Sequence, residues 1–227
     1  LLESRGLGDV YKRQVLLLDE PLSNLDAKLR LEMRDNITRI HAETGITTVY
    51  VTHDQKEALS MGTHISVMRA GDMVQTDSPK TLYHRPVTPF IAGFIGEANI
   101  VDGIYQGKEG DQHKVDTVFG TLLGRHSIET HAKGDKVSLS IRPEAIHAHF
   151  DGKASGENQL AIKLEQLTYL GESEQLAGKT TQGDHWLRVN CFDAPAHDLK
   201  NGDSVPLSVP SERVLVLPPK DSMSSGT

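Results

Sequence analysis

The sequence predicts an α/β domain built on a parallel sheet, followed by a smaller all-β domain of the barrel or sandwich kind. Two observations carry this. Up to about residue 96, apolar runs of strand length alternate with stretches of helical periodicity, the pattern of a parallel sheet covered by helices. Beyond Gly96 the texture changes to short alternating runs broken by Gly, Asp and Pro, as many short strands in a barrel or sandwich would give.

Val15-Leu16-Leu17-Leu18 is a continuous apolar run, suited to a central strand covered on both faces. Pro21 stops it, and Ser23-Asn24-Leu25-Asp26 makes a loop in which Asp26 can cap the next helix. That helix is expected to about Glu43, because Leu25, Leu29, Met33, Ile37 and Ile40 share one face. Gly45 is placed to end it in a left-handed turn. The β-branched run Ile46–Thr52 is expected to be the next buried strand. Asp54 and Glu57 have capping-box spacing for a helix to about Met61. His64–Arg69 and Met73–Thr76 flank a turn at Ala70-Gly71-Asp72 and read as a hairpin. Short helices at Pro79–Tyr83 and Pro89–Ile95 close this part.

Later strands are expected at Ile100–Tyr105, Val115–Phe119, Val137–Ile141, Ala145–His149, Leu160–Leu170, Trp186–Val189, Val205–Val209 and Val214–Leu217. Leu1–Gln14 follows no period and resembles translated adaptor sequence, so it is set aside. The expected organisation is residues 15–96, residues 97–217, and a flexible tail over 218–227.

Composition narrows the function classes. A chain of 227 residues with 37% hydrophobic residues and mixed charges is globular. A formal net charge of −7 argues against a general nucleic-acid binder. Cys191 is the single cysteine, so no intramolecular disulfide can form, which fits a reducing compartment. The apolar stretches are too short to span a bilayer and no leader is legible, so the cytoplasm is the expected location.

The chemistry is expected at the end of the first strand, where α/β folds place ligands. A carboxylate there can hold Mg²⁺, a small hard cation that prefers oxygen ligands, and a neighbouring one can orient or deprotonate water. Asp19 and Glu20 supply such a pair. Taken alone, the pair could equally be a solvated strand end, and His53 a strand-end histidine satisfied by its neighbours.

Three blocks decide between these readings. Val15–Pro21, then Leu22-Ser23-Asn24-Leu25-Asp26, then Val49-Tyr50-Val51-Thr52-His53-Asp54 closely resemble the ABC ATPase family. The resemblance implies a Walker B strand with its catalytic glutamate, a D-loop and a switch histidine, within part of a P-loop ATPase domain. It implies that Asp19 holds Mg²⁺ through water, that Glu20 is the general base and that His53 contacts the γ-phosphate of ATP. It also implies that Ser23, Asn24 and Asp26 cross to a second ATPase subunit around the nucleotide.

The family also has a glycine-rich phosphate loop with Lys and Ser/Thr, a Q-loop and a Leu-Ser-Gly-Gly-Gln signature. None occurs in these 227 residues, and Gly6-Leu7-Gly8 is no substitute. The chain as written is therefore expected not to hydrolyse ATP.

Phe94-Ile95-Gly96-Glu97-Ala98-Asn99 and Ser140-Ile141-Arg142-Pro143-Glu144 resemble segments beside and within the TOBE domain, an oligonucleotide-binding-like (OB-like) barrel appended to importer ATPases. Tyr169-Leu170-Gly171 and Ser208-Val209-Pro210 are similar to its strand-turn segments. The resemblance implies an importer motor subunit of the polyamine, iron, phosphonate or sugar type, peripheral on the inner membrane face. Its partners would be transmembrane permease subunits and a second ATPase subunit, and not nucleic acid. The Phe94–Asn99 segment leans toward the polyamine, iron or phosphonate branch. The alternative is a small-ligand or regulatory binding module based on the barrel. An ABC ATPase of DNA repair or translation is disfavoured by the barrel and the acidic balance.

In the barrel, Arg142 can bind an anion or pack its stem across the sheet, and packing is expected. His147 and His149 alternate on one strand and are expected to be a surface pair, not metal ligands. His126 and His131 are expected to be solvated. Trp186 and Tyr50 are expected in the core.

Overall fold

The computed structural model describes residues 15–192 and 199–220. The readings made for Leu1–Gln14 and for residues 221–227 of the tail lie outside these. The chain divides into two compact units, one to Ile65 and one from Ser66 onward.

In the first unit, β1 (Val15–Asp19) pairs in parallel with β2 (Thr47–Val51), residue Leu17 opposite Val49. Helix α1 (Ala27–Thr44) connects them, giving the expected βαβ order. Asp26 caps α1 by accepting the Leu29 amide at 2.9 Å, which satisfies an orphan helix donor. Gly45 ends α1 at φ 63°, in the left-handed region that glycine enters without strain. Helix α2 (Gln55–Met61) follows β2.

The expected burial of β1 and β2 is corrected. Exposure alternates along both strands. Leu17 is 72% exposed, and Val15, Val49 and Val51 are also exposed. The register puts these four on one face of the sheet. On the other face Tyr50 bonds Glu57 of α2, so helical cover reaches that side. The stripe on α1 is present in the sequence but uncovered, with Leu29, Met33 and Ile40 exposed. A pair of parallel strands covered on one face leaves the other apolar face open.

In the second unit, β3 (Ile65–Arg69) and β4 (Asp72–Asp77) form the expected hairpin, and α3 (Pro79–His84) and α4 (Pro89–Phe94) follow. Then come β5 (Asn99–Glu109), β6 (Gln112–Thr117), β7 (Gly120–Gly124), β8 (His126–Ser127), β9 (Lys136–Ile141) and β10 (His147–Ala148). The last are β11 (Leu160–Tyr169), β12 (Ser173–Thr180), β13 (Trp186–Phe192), β14 (Ser204–Ser208) and β15 (Val214–Leu217). They form two barrel-like sheets, ordered β10-β14-β11-β12-β13 and β7-β6-β5-β9-β15-β8. Both sheets feed one core, in which Val101, Leu139 and Val216 of one meet Leu164, Val189 and Leu207 of the other.

Two asparagines finish what backbone pairing leaves open. Asn99 accepts the Arg188 amide and donates to the Arg188 carbonyl, both at 2.8 Å, capping the edge strand β13 from β5. Asn158 treats Leu123 of the edge strand β7 in the same way, and also donates to the Val209 carbonyl. Each side-chain amide stands in for one residue of a neighbouring strand, so buried backbone groups stay paired. Ala92 of α4 packs with Leu215 and Leu217, which groups this short helix with the sheets.

A bulge in β11 between Leu164 and Gln166 sits beside Gly178 of β12. A Cβ at Gly178 would lie 2.2 Å from the Lys163 carbonyl oxygen and 2.9 Å from its carbon. Backbone on a paired strand cannot yield cheaply. Gly178→Ala is expected to destabilise the second unit by about 1–3 kcal/mol or somewhat more, read as an earlier urea midpoint with an unchanged slope.

Candidate functional site

The C-terminal ends of β1 and β2 lie side by side, with Asp19 opposite Val51. The ladder runs one residue further, since the Glu20 amide donates to the Val51 carbonyl at 2.9 Å. Glu20 then adopts φ 44°, uncommon for a residue with a Cβ and a kind of strain that clusters at functional sites. Its carboxylate Oε1 lies 3.1 Å from Nδ1 of His53. The structure thus brings together two residues separated in sequence by a helix and a strand, both largely open to solvent.

Asp19 is exposed, and its side chain makes no hydrogen bond or ion pair among the described residues. Ser23 folds back, its Oγ donating to the Glu20 carbonyl at 3.0 Å, while buried Leu22 anchors the loop. The Leu25 amide donates to the Leu22 carbonyl at 3.2 Å. Asn24 is exposed without a hydrogen bond among the described residues. The Asp26 carboxylate is engaged as the cap of α1.

The expected capping box at Asp54 and Glu57 is half formed. Asp54 Oδ1 accepts the amides of Lys56 and Glu57 at 2.7 and 3.1 Å. Glu57 does not return to the Asp54 amide, because Thr52 Oγ1 already accepts it at 2.9 Å. Instead Glu57 Oε2 accepts from the hydroxyls of Thr52 at 2.8 Å and Tyr50 at 3.1 Å. Tyr50 is half-buried, and its pKa is raised by burial first and then by the Glu57 carboxylate. Glu57 is only 5% exposed, and Arg30 of α1 approaches it. Sequence reasoning missed this pair, because Arg30 falls on a polar helix face and Glu57 reads as a cap. The signal available was the Thr-His-Asp turn, whose hydroxyl needs a partner.

Asp19 fits a Mg²⁺ ligand as an exposed oxygen donor at a strand end. Among the described residues no group of three or more His, Cys, Asp or Glu forms a protein-only metal cage. The phosphates of ATP are a different matter, because the 227 residues hold no glycine-rich cradle for them.

The barrel residues also find their places. Arg142 follows β9 and donates to three carbonyls, those of Ala92 at 2.8 Å, Glu97 at 2.9 Å and Tyr83 at 2.9 Å. Its guanidinium lies 4.1 Å from the centre of the Tyr83 ring. The role is structural, but it is carried by the guanidinium on carbonyls and a ring and not by the stem packing across the sheet that was expected. Burial lowers its pKa, offset in part by Tyr83 and Glu144. Tyr83 donates its hydroxyl to Glu144, and its pKa is pushed up to about 12, by burial first and then by that bond. His149 Nε2 lies 2.8 Å from Ser208 Oγ, and His147 is exposed.

Two expectations are corrected here. The His131 side chain is only 4% exposed and its ring lies 5.4 Å from that of Tyr105, because the loop before β9 folds onto β5. Trp186 is 39% exposed, since inward Leu187 and Val189 on β13 turn it outward by strand alternation.

Residues 139–217 match the TOBE domain family. The chain is 36% identical over 210 residues to a spermidine/putrescine import ATP-binding protein of Rubrobacter xylanophilus, covering 92% of this chain and 55% of that protein. It is 36% identical over 209 residues to a maltose/maltodextrin import ATP-binding protein of Vibrio cholerae, covering 90% and 54%. The chain thus spans about half the length of the curated relatives it matches. Among solved structures, a molybdate-bound form of the cytoplasmic molybdate-binding protein ModG aligns with a TM-score of 0.45 at 16% identity, covering 53% of this chain and 96% of that one. Residues 139–217 are a TOBE domain, and most of the chain is homologous to the C-terminal part of ABC importer ATP-binding subunits.

Proposed function

We propose that this chain is the C-terminal part of an importer's ATP-hydrolysing motor subunit, with Glu20 and His53 as its catalytic pair. The approach of Glu20 Oε1 to His53 Nδ1, 3.1 Å, carries this reading. Residues 15–96 are assigned to a partial P-loop ATPase domain and 97–217 to the OB-like TOBE barrel. In this reading Glu20 takes the proton of the attacking water and His53 contacts the transferring phosphoryl group. Such chemistry rests on positioning and electrostatics, which the strained turn at Glu20 supports. Asp19 would hold Mg²⁺ through water, and the ion would neutralise charge on the phosphate oxygens. Ser23, Asn24 and Asp26 form the loop that would meet a second ATPase subunit, and the solvent exposure of Asn24 is compatible with that.

The uncovered apolar face of β1 and β2 supports the same reading, since parallel sheets bury both faces. Among the described residues no helix is long and apolar enough to cross a membrane. In this reading the subunit works in the cytoplasm, peripheral on the inner membrane face, with transmembrane permease subunits as partners and nucleic acid not among them. The Phe94–Asn99 segment leans this reading toward the polyamine, iron or phosphonate branch, while the polyamine and maltodextrin relatives are equally identical to the chain.

The test uses two proteins, the 227-residue chain and a chimera. In the chimera, residues 15–217 replace the matching stretch of the Rubrobacter import protein and so join the rest of that ATP-binding protein. The chain alone is expected to release no phosphate from ATP above background, and the chimera is expected to turn over. Hydrolysis by the purified chain alone, or a folded, nucleotide-binding chimera that never turns over, would contradict the proposal.

A further inference from the structure

One guanidinium bridges the two loops of the site. Arg30 lies in the first turns of α1, and its Nη2 donates to the Leu25 carbonyl at 3.0 Å, within the Ser23–Asp26 loop. Its Nη1 lies 3.6 Å from Asp54 Oδ2, immediately after His53. Its Nε lies 3.9 Å from Oε1 of buried Glu57. The other Glu57 oxygen accepts from Thr52, immediately before His53. His53 is therefore flanked on both sides by groups that face Arg30 directly or through Glu57.

Two features set this apart from a surface ion pair. A buried carboxylate needs a compensating charge, and Arg30 is the cation that lies within ion-pair distance of Glu57 among the described residues. Moreover, Arg30 Nε is buried and has no hydrogen-bond partner, an arrangement that costs free energy unless another state satisfies it. A shift of about 1 Å would bring Nε to normal bonding distance of Glu57. That shift would alter the hold on Leu25 at the same time.

We infer that Arg30 is a positioning residue that couples the Ser23–Asp26 loop to the His53 loop, so that a displacement of one is felt by the other. This rests on the proposed reading of the two loops as parts of one nucleotide site. In that reading the loop that meets the second subunit and the loop that reports phosphate move as one unit.

The test is NMR on the full 227-residue chain, following the backbone amides of both loops and the His53 ring. Arg30→Met is expected to shift the amides of residues 23–26 and the His53 ring together. It should also speed amide exchange in both loops by about tenfold, the order set by losing a hydrogen bond to a charged group. Arg30→Lys keeps the charge without the fork and is expected to restore part of both effects. Glu57→Gln, which keeps the shape and removes the charge, should disturb the Leu25 amide although it does not touch it. Lys28→Met, on the same helix and exposed, should move neither loop.

In the chimera, Arg30→Met is expected to lower kcat by about tenfold with the KM for ATP nearly unchanged, and Arg30→Lys to recover part of it. Changes confined to residues 23–26, or a Leu25 amide blind to Glu57→Gln, would overturn the coupling. A full loss of fold in Arg30→Met with unperturbed loops in Arg30→Lys and Glu57→Gln would overturn it too. The site reading fails separately, if Glu20 and His53 variants leave chimera turnover intact.

Discussion

Glu20→Gln is expected to lower ATP turnover by the chimera by about a thousandfold, within the range that positioned acid–base groups supply. The substitution preserves size, and an amide can still pair with His53 Nδ1 across the 3.1 Å gap. Nor does it relieve the φ of 44°, because glutamine has the same Cβ. What is lost is the capacity to accept a proton from water. The expected signature is therefore a fall in kcat with nucleotide binding retained, as when an interaction made in the transition state is removed. Steady-state phosphate release and nucleotide titration on the same preparation check both halves. A fall in binding with kcat kept would make Glu20 a ground-state contact and move the base elsewhere.

Arg142→Ala is expected to destabilise the second unit strongly. Three carbonyls, of Tyr83, Ala92 and Glu97, would lose their donor. An unsatisfied buried acceptor costs about 1–3 kcal/mol, but water can reach part of this half-buried place. The expected loss is about 3 kcal/mol in all, with the stacking on Tyr83 included. For a chain of this size that corresponds to a drop in Tm of roughly 6–12 °C. Arg142→Lys should lose about half as much, because an ammonium lacks the flat fork of donors that serves three carbonyls while covering a ring. Thermal unfolding followed by circular dichroism reads both. An Arg142→Ala protein with unchanged Tm would return Arg142 to the anion-binding role.

The sequence showed most of the element order and the site pair, for reasons that lie in single residues. Asp26 and Gly45 bound α1 because capping and left-handed turns demand few residue types. Asp19 and Glu20 were legible as candidates because α/β folds bind ligands at strand ends, and Glu20 and His53 gained their proposed roles only from the resemblance of their blocks to the ABC ATPase family. Strand β12 was not legible, because Ser173–Thr180 carries little apolar alternation and is held by neighbours on both sides. Strand β7 hides between Gly120 and Gly124, and its edge is finished by Asn158, which lies far away in sequence. The burial expected for β1 and β2 failed for a different reason. Periodicity reports which faces are apolar, but cover depends on elements that the described chain does not place there. The Arg30–Glu57 pair joins two helices across a loop, and neither residue belongs to a motif by spacing.

In the proposed function Asp19, Glu20 and His53 form one phosphoryl-transfer site once a phosphate cradle is present. The most direct test is a crystal structure of the Glu20→Gln chimera with ATP and Mg²⁺. A water is expected between the ion and Asp19, with the residue 20 side chain within about 2.6–3.2 Å of the water facing the γ-phosphate and the His53 ring against that phosphate. A bound nucleotide whose γ-phosphate lies remote from both residue 20 and His53 would contradict it.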